Sequence, residues 1–125
     1  MLKKTIKYTD FNDVEREEDF YFNLTKSELT EMQLSVDGGL QAWLEKIVKT
    51  ENRPELIKAF KNIILKSYGE KSADGKRFVK SEELSEAFEQ SAAYDELFIE
   101  LLSNEEKAAE FVNGLIPKGL SVEKQ

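Results

Sequence analysis

Apolar and polar positions alternate with a period of two in two runs of the first 24 residues, and the spacing then lengthens to that of helices. Leu2, Ile6 and Tyr8 alternate with Lys3, Thr5, Lys7 and Thr9, and Lys4 is the intruder on the apolar side. Phe20, Phe22 and Leu24 alternate in the same way, with Tyr21 on the opposite face. Asn12 to Asp19 lie between these runs and are polar enough for a hairpin loop. The pattern predicts a two-stranded β-hairpin covering much of residues 2–24. A lone hairpin is marginal in water, so its apolar face must pack on helices or pair with another chain.

Helical signals follow. Thr25-Lys26-Ser27-Glu28 is a capping box, opening a short helix through Leu29, Met32 and Gln33 that stops before Asp37-Gly38-Gly39. Leu40, Trp43, Leu44, Ile47 and Val48 form one apolar stripe at helical spacing. Asn52 is placed to cap a further helix, with Pro54 tolerated in its first turn. Its stripe is Leu56, Ile57, Phe60, Ile63, Ile64 and Tyr68, with Gly69 at the position of a C-terminal glycine cap. These two helices are expected to form a hairpin around Trp43 and Phe60.

Glu70 to Lys80 reads as a loop or small ribbon turning at Asp74-Gly75. Ser81-Glu82-Glu83 starts a helical region with Leu84, Ala87, Phe88, Tyr94, Leu97, Phe98, Leu101 and Leu102 on its apolar face, loosened at Gln90-Ser91. Ser103-Asn104-Glu105-Glu106 reads as a second capping box. The last helix carries Ala108, Phe111, Val112, Leu115 and Ile116 on one side and is ended by Pro117 and Gly119. The expected fold is α+β and mostly α, an N-terminal two-stranded hairpin packed on or beside a bundle of four to five helices. One domain is expected over residues 1–117, with a flexible tail at 118–125. The expected core includes Trp43, Leu44, Ile47, Leu56, Phe60, Ile63, Ile64, Phe88 and Leu101.

Composition narrows the chemistry. The 125 residues include neither cysteine nor histidine, which removes disulfides, thiolate nucleophiles and the usual neutral-pH base. A net charge of −7 argues against a general nucleic-acid binder. No apolar run approaches the roughly 18 residues that a membrane span needs. Lys3-Lys4 is followed by Thr5, Lys7 and Tyr8 rather than by the apolar core of a secretion signal, so the expected compartment is the cytoplasm.

Charge is unevenly placed: residues 41–80 carry a net +5 and residues 81–110 a net −9. Either the two segments face each other or solvent, or they make a dipolar surface that orients head-to-tail contacts between copies. A hairpin edge without a partner strand in the chain points to the same self-association.

Candidate sites fail on spacing. With Gly75 at position six of a calcium loop, position twelve falls on Ser81 where a bidentate Glu is required, so Asp74-Gly75 is a turn. The pairs Glu82-Glu83 and Glu105-Glu106 sit in first helical turns, where the helix dipole accounts for them. Gly75 precedes Lys76 and Gly119 follows Lys118, neither with phosphate-loop spacing. The basic stretch 53–80 has its Phe60 in an apolar stripe, which disfavours stacking on bases. No catalytic, cofactor-binding or metal residue is assigned.

Asp19-Phe20-Tyr21-Phe22-Asn23-Leu24-Thr25-Lys26-Ser27-Glu28-Leu29 resembles the strand-to-helix passage of tail assembly chaperones from long-tailed, non-contractile bacteriophages of Gram-positive hosts. Three further strings match the same family in order. They are Tyr68-Gly69-Glu70-Lys71 with Asp74-Gly75-Lys76-Arg77-Phe78, then Ser81-Glu82-Glu83-Leu84, then Phe111-Val112-Asn113-Gly114-Leu115-Ile116-Pro117. The resemblance implies a non-catalytic protein that binds the tape measure protein, keeps it soluble and recruits the tail tube protein, working in the bacterial cytoplasm and absent from the finished virion. It also implies a short form and a longer, frameshifted form, and an ending soon after Ile116-Pro117 suits the short one.

A small acidic phage regulatory or inhibitory protein and a minor virion tail component are the alternatives. Candidate partner-binding residues are Phe20, Phe22, Phe111, Val112, Leu115 and Ile116, although core is the more ordinary reading of each.

Overall fold

The computed structural model describes residues 1–31 and 53–115, with the helical positions Ala42, Glu45, Lys46 and Lys49 between them. The stripe from Leu40 to Val48, including Trp43, Leu44 and Ile47, lies outside the described residues, as do Asn52 and the tail expected at 118–125. Strand β1 (Leu2–Thr9) pairs antiparallel with β2 (Glu15–Phe22), placing Leu2 opposite Phe22 and Thr9 opposite Glu15. This register turns Leu2, Lys4, Ile6, Tyr8, Phe20 and Phe22 to one face and Lys3, Thr5, Lys7, Glu17, Asp19 and Tyr21 to the other.

Glu15 to Asp19, expected in the loop, are strand. Their acids face complementary groups on β1: Thr5 Oγ1 donates to Asp19 at 2.6 Å, Lys7 lies 3.8 Å from Glu17, and Lys3 reaches Asp19 at 4.0 Å. Opposite charges across a strand pair outweigh the low strand propensity of each acid alone.

Thr25 and Glu28 close the capping box reciprocally. The Glu28 amide donates to Thr25 Oγ1 at 3.1 Å, and the Thr25 amide to Glu28 Oε1 at 2.8 Å. Helix α1 (Lys26–Glu31) follows and buries Leu29. Helix α2 (Arg53–Ser67) buries Phe60, Ile63 and Ile64, while Leu56 packs at the margin of the core. Ile57, one position round the helix from Leu56, is 40% exposed instead of joining the stripe.

The expected continuation of α2 to Tyr68 and a cap at Gly69 is corrected by the structure. The helix stops at Ser67, whose carbonyl accepts from the Asn23 amide at 2.8 Å, and Tyr68 turns at once into strand β3 (Tyr68–Lys71). Gly69 serves close packing: a Cβ there would lie 2.6 Å from the Val79 carbonyl oxygen and 2.7 Å from the Phe78 ring. Strand β3 pairs with β2 at Tyr21 and Phe22, and with β4 (Phe78–Val79), giving a four-stranded antiparallel sheet in the order β1-β2-β3-β4. The hairpin therefore has a partner strand within its own chain, contrary to expectation, though only at the last two residues of β2.

The β3–β4 turn is built on Ser72. Its Oγ donates to Asp74 at 2.7 Å and accepts from the Arg77 amide at 3.0 Å, while Gly75 takes a φ of 75°.

The region after Ser81 splits where the pattern loosened. Helix α3 (Glu82–Glu89) is capped by Ser81, which accepts from the Leu84 amide at 3.1 Å. Helix α4 (Ala92–Ser103) is capped by Ser91, accepting from the Tyr94 amide at 3.3 Å. Ala87 faces solvent beside buried Phe88. Helix α5 (Glu105–Leu115) is capped by Asn104, which accepts from the Lys107 amide at 3.1 Å. The expected box led by Ser103 does not form, because Ser103 ends α4 with its hydroxyl donating to the Ile99 carbonyl at 2.6 Å.

Helices α4 and α5 pack on β1, α3 packs on β3, and α2 packs on α3 and α4. One core runs from Ile6 to Leu115, drawing on the sheet and on all five described helices. Gly69→Ala is expected to cost about 1–3 kcal/mol, since the added methyl meets backbone that cannot move aside. Gly75→Ala meets no neighbour but must hold a positive φ, at a cost of about 1 kcal/mol. Urea unfolding of both variants checks that order.

Candidate partner-binding surface

Four of the sequence-derived partner residues lie inside the molecule. Phe22, Phe111, Val112 and Leu115 are buried in the core, Phe20 packs against it half-buried, and Ile116 lies outside the described residues. The ring of Phe22 meets that of Phe111 edge-on at 5.2 Å, and those of Phe88 and Tyr68 at 5.7 and 5.8 Å. Phe20 faces Phe88 at 5.3 Å, and Phe88 stacks on Tyr68 at 4.4 Å. Against β1, α5 comes close enough that a Cβ on Gly114 would lie 2.8 Å from Leu2. Phe22, Phe111, Val112 and Leu115 offer a partner no surface in the folded monomer.

Two partly buried lysines fasten the elements. Lys80 Nζ donates to the Asn23 carbonyl at 2.7 Å and to the Glu28 carboxylate at 2.6 Å, tying β4's exit to the capping box of α1. Partial burial pushes the Glu28 carboxyl up, but Lys80 and the Thr25 amide outweigh burial and hold it below its ordinary value. Lys4, the intruder in β1, reaches Glu100 of α4 at 2.8 Å. Burial beside Glu89 and Asp95 pushes the Tyr94 hydroxyl up to about 12, so it stays protonated at neutral pH. The basic and acidic segments also meet directly, at Lys61–Glu89, 3.0 Å apart.

What remains outside is different in kind. Phe11 is 82% exposed at the tip of the β1–β2 turn, with Val14 exposed beside it and Ile99 exposed on α4. The turn that carries Phe11 is ordered by Asp10. Its carboxylate accepts from the amides of Asn12 at 2.8 Å and Val14 at 3.0 Å and pairs with Arg16, which holds it below the usual carboxylate range. Asp13 completes the turn with a φ of 63°.

A groove of 530 Å³ opens where β3 diverges from β2, lined by Phe20, Tyr21, Tyr68 and Gly69 with Glu18, Asp19, Glu70 and Lys71. A second, of 480 Å³, lies among Lys7, Tyr8, Arg16 and Glu96. Among the described residues no three acids converge as a metal site would require, and no helix is long and apolar enough to cross a membrane. Sequence reasoning missed Phe11. The available signal was a large aromatic ring set among the turn formers Asp10, Asn12 and Asp13, where no periodic face exists to bury it.

Among the described residues the large apolar faces lie in the core and only separate apolar points stand on the surface, with no metal-holding cluster of acids beside them. The chain belongs to the phage tail assembly chaperones, whose family model matches residues 1–125. The role of that family is tail assembly and not catalysis. No curated protein matches the chain, and no solved structure matches it.

Two outcomes follow from this geometry. Phe111→Ala should cost about 3–5 kcal/mol in urea unfolding, the penalty of an emptied core site. Folding lowers the pKa of Glu28, so its contribution is complete above the unfolded value near 4.5 and is lost as pH falls through the lower folded value. Stability measured from about pH 7 down to pH 3 should therefore fall less steeply in Glu28→Gln than in the parent. Parallel curves would mean that the Lys80 contact adds nothing.

Proposed function

We propose that this chain binds the tape measure protein of its phage, keeps it soluble and helps recruit tail tube protein during tail morphogenesis. The observation that carries this reading is the family match over the whole chain. The motif strings described above extend it to a phage with a long non-contractile tail, working in the cytoplasm of a Gram-positive host. The protein acts without catalysis and without a cofactor, and is absent from the mature virion.

Physical chemistry supports the assignment. A long amphipathic client exposes an apolar stripe over many helical turns until tube subunits enclose it. A binder of net charge −7 adds negative charge to each complex, and mutual repulsion opposes aggregation. Displacement by tube subunits requires weak contacts, so many copies bind at modest affinity, aided by head-to-tail association between copies. The unequal charge of residues 41–80 and 81–110 favours such association.

The test is co-expression with the tape measure protein. The chain should raise the client's soluble yield, co-purify with it and be missing from purified particles. An unchanged client yield with or without the chain would remove the chaperone reading. A host enzyme as the co-purifying partner would point to a regulatory protein, and presence in particles to a virion component.

A further inference from the structure

We propose that the β1–β2 turn is a knob that docks on a second copy of this chain, with Phe11 and Val14 seated on the exposed face of α2 around Ile57, Lys58 and Lys61. This gives a surface to the head-to-tail association proposed above and rests on that part of the reading alone.

The knob is unusual for its exposure and its order together. A ring 82% exposed at a hairpin tip carries an apolar area that solvent disfavours. The turn beneath it is held by the Asp10 carboxylate and by two backbone bonds, Asp10 N–H to the Val14 carbonyl at 2.9 Å and Asp13 N–H to the Asp10 carbonyl at 3.0 Å. An aromatic anchor on an ordered support loses little freedom on binding, the property of residues that dominate interfaces.

Charge selects the seat. Around the tip stand Asp10, Asp13 and Glu15 against Arg16, while Glu17 further along β2 is paired with Lys7, so the tip is net negative and favours a basic face around an apolar centre. Ile99, 54% exposed, has Asp95, Glu96 and Glu100 as its helical neighbours and repels the tip. The groove beside β2 has the right size and aromatic lining, but Glu18, Asp19 and Glu70 outnumber Lys71 at its rim. Ile57 is exposed on α2 beside exposed Lys58 and one turn before Lys61, which pairs with Glu89 at 3.0 Å, while Lys66 lies on the opposite side of the helix. That helix packs on α3 and α4, a layer away from the sheet that carries the tip, so knob and seat serve two different molecules. Each copy has one of each, and the contact can propagate.

Sedimentation at about 50 mM salt tests this with the parent chain, Phe11→Ser and Ile57→Ser, whose melting temperatures should match the parent because both side chains are exposed. The parent should self-associate, and each variant should lose at least tenfold in association constant. An equimolar mixture of the two variants should regain a dimer, because one supplies an intact knob and the other an intact seat. A monomeric parent, a Phe11→Ser chain that associates like the parent, or a mixture that stays monomeric would overturn the proposal. So would a monomeric parent whose capture of the tape measure protein is lost in Phe11→Ser, which would assign the knob to the client. Association that depends on Phe11 in a chain that does not solubilise the client would leave this contact standing and remove the chaperone reading.

Discussion

Everything in this fold passes through the ring of Phe22. It has no exposed surface, and its neighbours Tyr68, Phe88 and Phe111 come from β3, α3 and α5. A two-stranded hairpin does not hold in water alone, and helices of 8 to 12 residues are marginal alone as well. Each becomes stable by covering the other's apolar side. Side-chain detail serves the same end: Gly69 lets β4 approach β3, and Gly114 lets α5 approach Leu2. Polar groups taken inside are compensated, as when Ser67 Oγ donates to the Ile63 carbonyl at 2.8 Å. Among the described residues no buried side-chain nitrogen or oxygen lacks a partner.

The same packing leaves the described surface mostly polar. Its last helix spends Ala108, Phe111, Val112 and Leu115 on the core and turns Glu105, Glu106 and Glu110 to solvent. The outer face of the hairpin is a mosaic of Lys3, Thr5, Lys7, Glu17 and Asp19, paired across the strands. Lys4, facing inward at the edge strand and held by Glu100, also guards β1 against indiscriminate strand pairing. Among the described residues, the large apolar side chains left on the surface are separate points such as Phe11, Val14, Ile57 and Ile99.

Most of the fold was legible where a local rule and the global packing agree. The alternation at Leu2, Ile6 and Tyr8, the Thr25–Glu28 box and the start at Ser81 each describe a local arrangement that the core then uses unchanged. The failures share one cause. Glu15 to Asp19 look like loop until the basic strand opposite is known, and Tyr68-Gly69 look like a helix end until β2 and β4 are in place. Both depend on residues distant in the chain, which periodicity cannot report. Four of the candidate partner residues lie in the core for a related reason: an apolar stripe does not say whether its cover belongs to this chain or another. Phe11 was overlooked because it belongs to no stripe.

The contact of Phe22 with Phe111 joins the hairpin and α5 into one cooperative unit. A double-mutant cycle with Phe22→Leu and Phe111→Leu, read by urea unfolding, measures that joint directly. One unfolding transition is expected in all four chains, with a coupling of about 0.5–1.5 kcal/mol between the two positions, the range for aromatic pairs in contact. Additive losses with zero coupling, or a hairpin that unfolds separately from the helices, would contradict it.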